Sequence, residues 1–204
     1  MTRRHSLLLA IAAGLLSLLG LLALTANGGE PARADEPRAP LSDSAAPPTA
    51  TVKLVFVHHS CGDNWLSTGN GGLGDALGAN NYFVSDTYYG WGPGGIGDNT
   101  DIGHWWLWFR GPHSPTYTQA LYETTNQHAT YTRPMSDPGG ENQIIMFKSC
   151  FPNSHLGGNP DDPPTTGDNP LRGQSSSSAY HTVANAKGIY NDLLVYFAAH
   201  RDKL

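Results

Sequence analysis

Ser60 stands where a buried strand would end. The stretch Val52-Lys53-Leu54-Val55-Phe56-Val57 is rich in β-branched and aromatic residues and breaks into His58-His59-Ser60-Cys61-Gly62. A short apolar run of this kind reads as a strand covered on both faces of a parallel sheet. In open parallel sheets, ligands bind just beyond the carboxyl ends of the strands. A serine there can act as a nucleophile if it has a base, an acid to orient that base, and donors for a developing oxyanion. Its plainer role is to cap the segment that follows. His58 and His59 are adjacent, so in a strand they point to opposite faces. Each reads as a structural, hydrogen-bonded group, because proton transfer needs close hydrogen-bond geometry that a direct neighbour rarely offers.

The pattern recurs. Ile144-Ile145-Met146-Phe147 runs into Lys148-Ser149-Cys150-Phe151-Pro152-Asn153-Ser154. The Asn153 amide suits an oxyanion, although Pro152-Asn153-Ser154 is also a good turn sequence. Tyr82 to Thr87 reads as a further strand, ending in Tyr88-Tyr89-Gly90-Trp91-Gly92-Pro93. There Gly90 or Gly92 offers another backbone N–H, or simply makes the turn.

The elements that must position these groups alternate in type. Leu73 and Leu77, four apart, mark a short helix. Trp105 to Phe109 is apolar enough to be helical. Ser114-Pro115 opens a helix to about Gln127, with Ser114 as N-cap. Residues 155–178 are Gly-, Pro-, Asp- and Ser-rich and read as a long surface loop. Ser178 is expected to cap the last helix, about 179–200, whose Val183, Ala186, Ile189, Leu193 and Phe197 recur three or four apart. Such a crossover helix serves to return the chain to another parallel strand. None follows before Leu204, and three strands are few for a sheet, so the chain is expected to be a fragment of a longer protein.

The first fifty residues read differently. Met1-Thr2-Arg3-Arg4 is basic, Leu7 to Ala26 is almost wholly apolar, and Ala32-Arg33-Ala34 fits a signal-peptidase site. Residues 1–34 are expected to be a signal peptide or, uncleaved, a membrane anchor; 35–50 a disordered Pro/Ala-rich linker; and 51–204 the folded domain. Either reading exports the domain, and membrane contact is expected only through such an anchor. With a net charge of −5 and no basic cluster, nucleic acid is not an expected partner.

Export permits disulfides. The two cysteines, Cys61 and Cys150, each lie just past a strand. In a 2-1-3 strand order they sit at the same end of adjacent strands, so a disulfide is expected, worth on the order of 4 kcal/mol. A Cys nucleophile is the alternative. Asp101-Ile102-Gly103-His104, with Asp86 and Asp98, is a weak metal signal, and neither a metal nor another cofactor is expected. Trp91, Trp105, Trp106 and Trp108 cluster with Tyr88, Tyr89, Phe109 and Tyr117. Some must be core. Tyr89 and Trp91, in the Gly-rich part, suit stacking on a sugar ring.

Val-His-His-Ser-Cys-Gly, Tyr-Tyr-Gly-Trp-Gly-Pro and Phe-Lys-Ser-Cys-Phe-Pro-Asn-Ser together resemble the SGNH (GDSL-like) hydrolase superfamily, and more closely a group of bacterial exported SGNH-like proteins. The resemblance covers residues 52–204. It implies an α/β domain, a flavodoxin-like three-layer sandwich with a parallel sheet, and hydrolysis of ester bonds. Ser60 takes the first-block nucleophile position, with His-His-Ser where Gly-Asp-Ser is usual. Gly90 or Gly92 takes the second-block oxyanion position and Asn153 the third. The superfamily's Asp and His share a last block near the C-terminus, which places the base beyond Leu204. The expectation is an exported serine esterase acting on a small-molecule or carbohydrate ester, with acyl groups on carbohydrate the favoured substrate. The alternatives are a non-catalytic glycan-binding domain on the same scaffold, or an inactive truncated fragment.

Overall fold

The computed structural model describes residues 46–200. The expected signal peptide, the linker up to residue 45, and residues 201–204 lie outside the described residues. The described end of the linker runs against the sheet, where Asn81 Nδ2 donates to the Pro48 carbonyl at 2.7 Å.

Three parallel strands form the sheet: β1 (Val52–Val57), β2 (Tyr82–Thr87) and β3 (Ile144–Phe147), in the order β2-β1-β3. Val52 pairs with Tyr82, and Val57 with both Thr87 and Phe147. Side chains alternate along a strand, so β1 feeds two cores. Leu54 and Phe56 pack with Leu66, Val84, Ala129 and Tyr131 under α1 (Cys61–Leu66) and α2 (Leu73–Ala79). Val55 and Val57 pack with Trp105, Trp108, Leu121 and Ile189 under α3 (His104–Phe109), α4 (Ser114–Glu123) and α5 (Val183–Ala199). The result is a three-layer α/β architecture, with β1 covered on both faces as its unbroken apolar run requires.

Helix boundaries differ from the sequence expectation for local reasons. α5 begins at Val183, because the Thr182 hydroxyl accepts from Asn185 N–H at 3.3 Å. Ser178 instead starts a turn closed by His181 N–H on its carbonyl. Ser114 is the first helical residue of α4 and not its cap, and the helix stops at Glu123 because Thr124 is extended (ψ 140). The 155–178 loop is tied down by a bridge between Gly157 and Thr182 and by fully buried Leu171. No helix among the described residues is long and apolar enough to cross a membrane.

β3 is the exception to this coverage. Its outer edge carries no strand among the described residues, and a groove of about 320 Å³ runs beside it, lined by Gln143, Ile144, Ile145, Phe147, Phe109 and Phe197.

Candidate functional site at the carboxyl ends of the strands

Ser60 is exposed and links β1 directly to α1. Its φ is 37° and ψ −97°, a region L side chains rarely occupy. Holding a non-glycine residue there costs on the order of 1–3 kcal/mol, which the surrounding contacts must over-determine. They do. Gly62 N–H donates to the His59 carbonyl at 2.7 Å, and Asn64 N–H to the Ser60 carbonyl at 3.2 Å. Gly62 is needed for the same reversal: a Cβ there would stand 2.3 Å from His58 Cβ.

The two histidines before Ser60 point opposite ways and are both spent. His58 is fully buried, with Nε2 on Asp86 Oδ2 at 3.0 Å. Asp86, also fully buried, accepts further bonds from His128 N–H (2.8 Å), Ala129 N–H (2.9 Å) and the Tyr131 hydroxyl (3.0 Å). Burial first, and the Asp86 carboxylate second, push the Tyr131 hydroxyl pKa up, so it stays a donor. His59 donates from Nε2 to the Gly97 carbonyl and accepts at Nδ1 from the Thr100 hydroxyl at 2.9 Å. Burial lowers its pKa, and the Gly97 bond only partly opposes this, so His59 is a neutral structural group.

Asn153 sits in the turn Phe151–Ser154, and its side chain is committed on all sides. Nδ2 donates to Asp101 Oδ1 at 2.6 Å and to the Cys150 carbonyl at 3.2 Å. Oδ1 accepts from Ile102 N–H at 2.8 Å and faces His181 Nε2 at 3.3 Å. The other ring nitrogen of His181 lies 3.0 Å from the His155 carbonyl. Asp101 is held by Ser176 N–H at 2.7 Å as well. Burial opposes its ionisation, but the bonds from Ser176 and Asn153, with nearby His104, outweigh that and keep its pKa below the ordinary carboxylate value. His104 accepts at Nδ1 from Asp101 N–H at 3.2 Å, and burial lowers its pKa.

The other expected site residues fall as follows. Gly90 N–H donates to Asp98 Oδ1 at 2.8 Å, so that donor is occupied. Tyr89 is 54% exposed and stacks on His59, with centroids 3.7 Å apart. Trp91 is partly buried and stacks on core Trp108 at 6.0 Å. The expected disulfide is not formed: Cys61 and Cys150 are both free and partly exposed. The strand order does place them past neighbouring strands. A bridge also needs converging Cβ vectors, and here Cys61 is the first residue of α1 whereas Cys150 is extended backbone leading into a turn. Among the described residues, no three His, Cys, Asp or Glu side chains are grouped to hold a metal ion.

The roles of four groups escaped the sequence reading. Asp86 left one signal, a carboxylate inside a buried strand, which must be paired. Ser176 and His181 left none, since they reach Asn153 and Asp101 only through the folded loop. Lys148 follows β3 with its ammonium buried, without a hydrogen-bond partner, 5.5 Å from the Trp65 ring. No family model, no curated protein and no solved structure matches the chain. The class defined by its own geometry is an α/β domain whose central parallel strand delivers an exposed, strained serine to the sheet's carboxyl edge.

Proposed function

We propose that the protein is an exported serine hydrolase of the SGNH type, on a flavodoxin-like scaffold, that cleaves acyl esters of carbohydrate. The observation that carries this reading is Ser60 itself: exposed, at positive φ, between the central strand and a helix start. A strained strand-to-helix turn of this kind lifts a serine Oγ clear of the sheet. Oγ attacks the acyl carbon while its proton passes to a base, and the sugar oxygen leaves with that proton. Water then releases the acyl group from Ser60.

The donors for the oxyanion are ranked by what they already hold. Gly90 N–H is taken by Asp98, which favours the backbone N–H groups of Ser60 and Gly92. Asn153 joins by giving up its longer bond, 3.2 Å to the Cys150 carbonyl, while Asp101 keeps the amide oriented. The base is a group that neither His58 nor His59 supplies. The resemblance puts it in a block downstream of Asn153.

Ser60→Ala is expected to lower acyl-ester turnover at least about a thousandfold, as loss of a nucleophile does. Turnover at the wild-type rate would end the assignment. A second reading, glycan binding without turnover, is favoured by Tyr89 standing exposed on His59. Polysaccharide binding without turnover, lost in Tyr89→Ala and in Trp91→Ala protein that still melts cooperatively, would establish it instead.

A further inference from the structure

Three large aromatic side chains, on segments that carry or touch Asn153, His181 and His59, are exposed where such residues usually bury. Phe151 is 74% exposed, Tyr89 54% and Tyr180 53%. Each is fixed to a different part of the strand-end network. Phe151 opens the short turn that carries Asn153, a turn closed by the Ser154 hydroxyl donating to the Phe151 carbonyl at 2.8 Å. Tyr180 directly precedes His181, whose ring lies against Asn153 Oδ1. The Tyr180 backbone is pinned at both ends: its N–H donates to Ser178 Oγ at 3.1 Å, and its carbonyl accepts from Asn185 Nδ2 at 2.8 Å. Tyr89 lies on His59 and meets Tyr88 edge-on at 4.7 Å, while Tyr88 stacks on His128 at 3.7 Å. Burial first, and then the neighbours Cys150, Tyr88, Asp101 and Asp98, hold the Tyr89 hydroxyl pKa above the ordinary value. Neither Phe151 nor Tyr180 packs against another ring among the described residues, so core packing does not account for them.

We infer that Tyr89, Phe151 and Tyr180 form a stacking rim that holds the sugar chain of the substrate over Ser60, with Phe151 and Tyr180 as specificity-determining residues. This rests on the esterase reading for the ester but not for the sugar. The chemistry of the rim favours an uncharged glycan. Rings held apart by polar groups present flat apolar faces to sugar C–H bonds, while neighbouring oxygens meet the hydroxyls. The polar groups of the same segments are carboxylates and hydroxyls: Asp98 accepts from Gly90 N–H beside Tyr89, Asp101 is held by Asn153 and Ser176, and Ser175 and Ser177 bond each other shortly before Tyr180. The two carboxylates also disfavour an anionic polymer.

The test compares wild type with Phe151→Ala, Tyr180→Ala and the double variant in the full chain. Two esters are used, acetylated xylo-oligosaccharide and 4-nitrophenyl acetate. The ratio of kcat/KM for the sugar ester over the small ester is expected to fall about tenfold in the double variant, through KM, since each 1.4 kcal/mol of lost contact is tenfold. An unchanged ratio overturns the rim. Should wild type turn over neither ester, the esterase reading fails and the rim is judged by binding alone. Retardation of the protein in gels containing deacetylated xylan, lost in the double variant, supports it. No retardation of wild type overturns it.

Discussion

The two flanks of β1 are built on different principles. Toward β2, every strand residue after the first is buried, and the polar end is a closed knot in which Asp86 accepts from His58, two backbone N–H groups and Tyr131. Toward β3, no strand residue is fully buried, the outer edge is unpaired among the described residues, and an apolar groove opens beside Phe147 and Phe197. The strand-end groups on this flank are held by side-chain bonds to loops, chiefly Asn153 on Asp101 and Asp101 on Ser176. Ser60 stands at the seam. It follows the central strand, with the closed Asp86 knot past β2 on one side and the Asn153–Asp101 network past β3 on the other.

The largest expected effect lies in the knot. Asp86→Ala strands four donors in a dry site and is expected to cost about 3–5 kcal/mol, as breaking a buried pair does. Urea denaturation measures it, and a cost under about 1 kcal/mol would show that the β2 flank is not held this way.

An intermediate effect is set by pH. His59 has a folded pKa below its ordinary 6.5, so the unfolded chain binds the extra proton. Its contribution is therefore fully present above about 6.5 and is lost as pH falls below that. His104 works in the same direction. Urea midpoints should drop between pH 7.5 and 5.5, and His59→Gln should flatten that drop. A midpoint that rises on acidification would contradict the buried, neutral assignment.

The smallest effect belongs to β3. Ile144, 38% exposed, should tolerate Thr within about 0.5 kcal/mol, the usual range for surface changes. A loss as large as that of Asp86→Ala would erase the contrast between the flanks.

The difference between the flanks also governs what could be read from sequence. The strands were legible to within a residue, because Leu54, Val55, Phe56 and Val57 must be apolar when both faces are covered. Their order, β2-β1-β3, entered only as the assumption behind the expected disulfide, since no residue pattern specifies it. Helix α1 was not, since Cys-Gly-Asp-Asn-Trp-Leu has no helical period; it is held by Leu66 in the core and Trp65 stacked on Phe56 at 6.3 Å. Ser60 was legible by position. What Asn153, Gly90 and Cys150 do was not, because their partners lie many residues away or depend on where a side chain points. Residue type shows that Asn153 has donors to offer, and only the folded chain shows that Asp101 and Cys150 already hold them.

The central claim is that the strained turn makes Ser60 a nucleophile. Its most direct test is reaction of the folded protein with a fluorophosphonate probe, followed by mass spectrometry of the labelled peptide. The account predicts a single adduct on Ser60, absent in Ser60→Ala. Labelling at Cys61 or at another serine, or none in a sample that melts cooperatively, would contradict it.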